Sequence, residues 1–214
     1  MTASVLISAF VTLLVTIGPF ETAPVFAGLT RAMSVGERTR TARRAVIIAG
    51  LVLFGFALGG KTLLAALHVS LPAMKTAGGV LLMLEAINLM FANPHLSSLT
   101  DQERAEAAQP RDISVFPLAF PLIAGPGSLV AVLLLMSQAN GNPLYMGAIL
   151  GVLAVCLVIT FLAFYLAQQL MRLLGVTGCD VLGRISGLLL AAMAMQFIFD
   201  GLQQGLLQGL LRAV

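Results

Sequence analysis

The sequence predicts an all-α polytopic membrane protein: six transmembrane helices arranged as two inverted three-helix repeats, with broken first and fourth helices. Three observations carry this expectation. Only 10% of the 214 residues are charged and 59% are hydrophobic, whereas a soluble domain carries about 25% charged residues to cover its surface. No Asp, Glu, Lys or Arg occurs between Asp112 and Arg172, a run long enough for two crossings at roughly 20 residues each. The second half of the chain also repeats features of the first.

Hydropathy breaks and turn residues place the spans near 3–30, 45–67, 72–92, 114–136, 144–171 and 185–211. The first has no Lys or Arg before it, so it reads as a span and not as a signal peptide, which needs a positive leading region. The connection after it, "RAMSVGERTRTARR", holds Arg31, Arg38, Arg40, Arg43 and Arg44. Short loops rich in arginine stay on the cytoplasmic side. Alternation then puts the loops near Arg104 and Arg111, and near Arg172 and Arg184, inside as well. Lys61, Lys75 and Arg212 fall outside, and both termini face out. The basic residues thus sit in loops, and the formal charge of +3 implies no nucleic-acid surface. The polar stretch 93–113 links a first repeat, 1–92, to a second, 114–214, and Thr100 with Glu103 has capping-box spacing. Cys156 and Cys179 have no metal-ligand or disulfide spacing and read as packing residues.

The repeat is visible residue by residue. "VSLPAMKTAGGVLLMLEAINLMF" from Val69 resembles "TGCDVLGRISGLLLAAMAMQFIF" from Thr177 under a constant offset, which puts Gly79 on Gly187, Asn88 on Gln196 and Phe91 on Phe199. Pro19 and Pro24 of "PFETAP" share their spacing with Pro121 and Pro126 of "PLIAGP". Three spans per half force the second copy in upside down. Inverted repeats with interrupted helices in matching places point to the binding site of a secondary transporter.

Proline removes a backbone donor and clashes with the preceding turn. Unpaired peptide groups in lipid cost several kcal/mol apiece, so broken helices survive only inside protein or beside a watery cavity. Where a half-helix restarts, free N–H groups and a positive dipole end attract an anion. Thr22 and Ser128 are suited to cap the restarts, and Gly125 and Gly127 let backbone approach a bound solute. Glu21 lies inside the first break, where an intramembrane acid implies function. It would couple a proton, or hold a substrate ammonium group or cation; its other reading is an interfacial carboxylate paired with Arg31. Glu85 is the second coupling candidate, with Lys61 or Lys75 as structural partners instead. Asn88 and Gln196 could bind substrate or tie helices together.

"PFETAPVFAGLT", "SVGERTRTARRA", "LPAMKTAGGVLLMLEAINLM", "VFPLAFPLIAGPGSL" and "RISGLLLAAMAMQFIFDGL" resemble the MarC family of bacterial inner-membrane proteins, in order and over nearly the whole chain. The resemblance implies six spans with both termini outside, and transport of small neutral amino acids such as glycine, alanine or serine. The chain departs from the family pattern at the first break, where Gly18, Pro19, Glu21 and Thr22 replace Asn-Pro or Asp-Pro followed by Gly-Asn. The family's frequent Asp in the third span is Asn88 here, and Glu85 is added one turn earlier.

An enzyme is not expected. Ser128 lacks a base, since His68 and His95 fall on opposite sides of the membrane, and no metal or nucleotide motif is present. No cofactor is implied. The small-residue pairs Gly55 and Gly59, and Gly147 with Gly151, suit packing within one chain, with a homo-oligomer contact as the second reading. The leading expectation is an alternating-access carrier of small amino acids coupled to protons or sodium. A small-solute channel and a non-transporting stress-response partner or scaffold are the rivals.

Overall fold

A computed structural model describes residues 3–91, 112–139 and 141–213. Eight helical segments follow one another, and no strand occurs among the described residues. They are α1 (Ala3–Ile17), α2 (Pro19–Leu29), α3 (Val35–Ala66), α4 (Leu71–Phe91), an irregular π-type segment α5 (Ser114–Ile123), α6 (Pro126–Gln138), α7 (Pro143–Tyr165) and α8 (Ala167–Ala213). Five stretches are long and apolar enough to cross a membrane, and α5 with α6, bent by 54°, makes a sixth when taken as one span. The chain is an integral membrane protein. The linker's Thr100–Glu103 capping box and His95 lie outside the described residues.

The helix boundaries follow local chemistry. Helix α3 starts at Val35, about ten residues before the expected span, because Ser34 and Glu37 form a capping box: the Ser34 hydroxyl and backbone N–H both donate to Glu37 Oε2, at 2.7 and 2.9 Å. Its 32 residues extend about 48 Å, more than the roughly 30 Å of hydrocarbon. The arginine-bearing turns therefore project past the apolar layer. Beside them Arg44 pairs with Asp112. Asn142 caps α7 by accepting from Leu144 N–H at 3.0 Å. Helix α8 turns at Gly175, whose φ of 65° is a conformation suited to glycine.

One face of α3, Ala42, Ala45, Ala49, Leu53, Ala57 and Gly60, is buried at three- and four-residue spacing against α6 and α7. Helix α6 is buried around most of its girth, from Gly127 to Ser137. Phe26 of α2 stacks on Phe164 of α7, with ring centroids 4.5 Å apart and planes 4° off parallel. Cys156 is buried among these residues, as expected for a packing cysteine.

Helices α4 and α8 run antiparallel in the most extensive contact of the fold. A Cβ built at Gly79 would lie 2.7 Å from both Ala194 O and Ile198 Cγ1; one built at Gly187 would lie 3.0 Å from Ala86 O and 2.9 Å from Met90 Cγ. The offset that matches Gly79 to Gly187 also matches Ala86 to Ala194 and Met90 to Ile198. Some of the other contacts show a comparable exchange, and others have no counterpart. Helix α2 packs on α7 and α8, while α6 packs on α3 and α4; α1 packs on α7, while α5 packs on α3.

Candidate functional site

The first break is narrower than the sequence implies. Gly18 alone interrupts the helix, in the left-handed conformation (φ 58°, ψ 54°), and Pro19 opens α2 at its first position. Proline carries no N–H, so Val15 C=O loses its helical donor. Pro24 lies inside α2 and does not widen the break. The second break is broader: α5 contains Pro117 and Pro121, with extended residues at Phe116 and Phe120, and the chain turns at Ala124 before Gly125 and Pro126 start α6.

Neither Thr22 nor Ser128 is an N-cap. Gly18 and Gly125 hold those positions without side-chain caps. Both hydroxyls are buried and serve carbonyls instead. Thr22 donates to Gly18 O at 2.8 Å, and Ser128 donates to Ile123 O at 2.9 Å and Gly125 O at 3.0 Å. Ile123 is the last residue of α5, so Ser128 joins the two sides of the break. Hydroxyls fit this task because breaks expose acceptors as well as donors.

A carboxylate lies at each break. Glu21 stands in the first turn of α2 and folds back on it, accepting from its own backbone N–H and lying so close to Gly18 that a Cβ there would overlap the carboxylate. The Ser186 hydroxyl of α8 donates to it, and Gly183, one turn earlier, leaves room for its side chain. Glu85 reaches from α4 to the start of α6, where a Cβ on Gly127 would overlap its carboxylate. The two acids are near enough to repel each other. Each restarting half-helix thus has an acid at its positive end, and the anion-attracting ends are already occupied by the protein's own side chains. Glu85 forms no hydrogen bond or ion pair among the described residues. Its suggested partners are elsewhere: Lys61 is exposed, and buried Lys75 donates to Gln204 Oε1 at 3.1 Å. Arg31 is exposed and makes no ion pair with Glu21.

Asn88 and Gln196 do not join this cluster. Both are exposed, and Gln196 Nε2 donates to Asp200 Oδ1 at 2.8 Å along its own helix. Gly183 and Ser186 were missed in the sequence, although both lie within the repeated stretch. Phe20, Phe120 and Pro126 are exposed beside the breaks. At the end of the molecule away from the arginines, a cleft of about 370 Å³ lies between α1, α6 and α7, with Gln138, Asn142 and Tyr145 in its lining.

Fold and site together define a polytopic helical membrane protein with two interrupted spans and paired acids where they restart. The profile of the MarC family integral membrane proteins matches residues 3–206, and the chain belongs to that family. It is 36% identical over 200 residues to a UPF0056 membrane protein of Archaeoglobus fulgidus, covering 93% of this chain and 92% of that one. It is 33% identical over 204 residues to the UPF0056 membrane protein YvbG of Bacillus subtilis (95% and 96% covered). With the Escherichia coli UPF0056 membrane protein YhcE it shares 30% identity over 202 residues, 94% of this chain and 93% of the relative. No solved structure matches the chain.

Proposed function

We propose that the protein is a secondary transporter that carries small neutral amino acids by alternating access and is not an enzyme. The observation that carries the reading is the convergence of Glu21, Glu85 and Gly127 at two helix restarts. Irregular backbone in lipid is tolerated only inside protein or beside water, and intramembrane acids mark ion or substrate paths. The substrate ammonium group, or a coupling proton or sodium ion, sits between the two carboxylates. At the α6 restart Gly127 leaves the space that the Glu85 carboxylate fills. Pro19, Pro121 and Pro126 keep the breaks open, and Thr22 and Ser128 hold their edges. Asn88 and Gln196 act at the helix surface and not on the solute.

Two inverted repeats are the mechanical part of this proposal. The reciprocal contacts of Gly79 and Gly187 support an axis between α4 and α8, and the exchange of packing partners between α2 and α6 supports the same axis. Rocking of one repeat against the other opens the site to each side in turn. In this reading the arginine-rich ends lie in the cytoplasm of a bacterial cell, both termini face out of the inner membrane, and the cleft near Gln138 is the outer approach.

Counterflow of labelled glycine, alanine and serine in proteoliposomes tests the reading. Saturable exchange is expected. Absence of exchange for all three, in protein that elutes as a single folded species, refutes it. Flux without counterflow favours the channel.

A further inference from the structure

A second cleft, of about 140 Å³, lies at the arginine-rich end where the first turns of α3 meet the junction of α7 and α8. It is lined by Val35, Arg38 and Thr39 on one side and by Tyr165, Gln168 and Gln169 on the other. Its size is below the roughly 300–1,000 Å³ of most small-molecule pockets, and nothing in the transport reading uses it.

Arg38 is the unusual residue here. One terminal nitrogen donates to Met33 O at 3.1 Å, yet Nε is buried and has no acceptor. That N–H is closed to solvent, so a ligand in the cleft would meet Arg38 through its terminal nitrogens. No carboxylate lines the cleft among the described residues. Glu37, the nearest acid in the chain, is engaged in capping Ser34. The side-chain amides of Gln168 and Gln169 are exposed at the opposite wall and can donate. Arg31 and Arg40 add exposed positive charge on the same end of the molecule. The cleft therefore suits an anion with several acceptor oxygens.

The surroundings identify which anion. Val35, in the lining, is 75% exposed and Leu166, next to Tyr165, is 40% exposed, so the cationic floor is set beside apolar surface at the level where α7 ends. Tyr165, exposed on the same corner, has the amphipathic ring favoured at a membrane interface. A soluble anion gains nothing from that apolar surround, whereas a lipid fills both parts. We propose that this cleft binds the phosphate of an anionic phospholipid, with the Arg38 guanidinium as its principal ligand and Gln168 and Gln169 as further donors. The acyl chains then lie over Val35 and Leu166. Basic pockets between membrane helices hold acidic headgroups in this manner.

The test is native mass spectrometry of the delipidated protein in a neutral detergent, titrated with short-chain phosphatidylglycerol, short-chain phosphatidylcholine and inorganic phosphate. Wild type should retain phosphatidylglycerol in preference to phosphatidylcholine, and inorganic phosphate should not displace it. Arg38→Gln should weaken binding about five-fold, the factor a single basic residue contributes beside an acidic leaflet. Gln169→Glu, at an exposed position, should weaken it at least as much. Arg43→Gln, on another face of α3, should leave it unchanged. Equal retention of the two lipids overturns the proposal, and so does equal loss in Arg43→Gln. Displacement by inorganic phosphate would make the cleft a soluble-anion site and overturn the lipid assignment. If Arg38→Gln does not fold, unchanged binding in Gln169→Glu refutes the site on its own.

Discussion

Replacing Gly127 by alanine should drive the Glu85 carboxylate out of its place. A Cβ at Gly127 overlaps Glu85 Oε2 and comes within 3.0 Å of Leu82 Cδ2. Overpacking of this kind costs about 1–3 kcal/mol, or roughly 2–12 °C in melting temperature for a chain of this length. Most of that cost comes from the carboxylate, since Leu82 can turn aside. The substitution should therefore be much less damaging in a Glu85→Ala background, with a coupling of at least about 1 kcal/mol, the range found for residues in contact. Thermal unfolding of wild type, both single variants and the double variant in detergent completes the cycle. Additive losses would refute the reasoning, because they would mean that Glu85 does not rest against Gly127.

Three further outcomes follow from the same geometry. Gly79→Ala and Gly187→Ala should each lose about 1–3 kcal/mol by parting α4 from α8, while Gly55→Ala, with nothing near its Cβ, should be neutral; melting temperatures check all three. Ser128→Ala should cost about 1–3 kcal/mol because a buried carbonyl across the second break loses its donor, and Ser128→Thr should recover part of the loss in the same assay. Asp112 is held below the usual carboxylate range, first by the Ser114 hydroxyl and then by Arg44 and Arg40. A lowered folded pKa stabilises the fold above the unfolded value, near about pH 4, and that contribution disappears as pH falls through the folded value. The stability gap between wild type and Asp112→Asn should accordingly be present at neutral pH and close in acid; a gap that persists at low pH would contradict this.

Much of the fold is legible in the sequence because lipid imposes a simple rule of length and apolarity. The spans beginning at Leu71 and Pro143 start within a residue of the expected ones, although the second ends at Tyr165, short of the expected 171. The start of α3 is not recovered by hydropathy, since its first turns are polar and rich in arginine; the Ser34–Glu37 spacing was the available signal. The repeat matches Gly79 to Gly187, and both prove to be close approaches between α4 and α8, as does Gly201 against Pro72 and Thr76. Pairing Asn88 with Gln196 by the same offset gave no information about which way they face, because in lipid an exposed helix face need not be polar. The meeting of Glu85 with Gly127 depends on how α4 and α6 cross, and no local pattern encodes that. Serine and threonine beside a break suggest caps that accept from backbone N–H groups, although a hydroxyl can serve either role.

The central claim is that the acids at the two restarts couple solute movement to an ion. The most direct test is uptake of labelled alanine into proteoliposomes under an imposed proton or sodium gradient, compared for wild type, Glu21→Gln and Glu85→Gln alongside gradient-free counterflow. The account predicts gradient-driven accumulation by wild type, and loss of that accumulation in at least one variant that still performs counterflow. Accumulation that survives in both variants would contradict it.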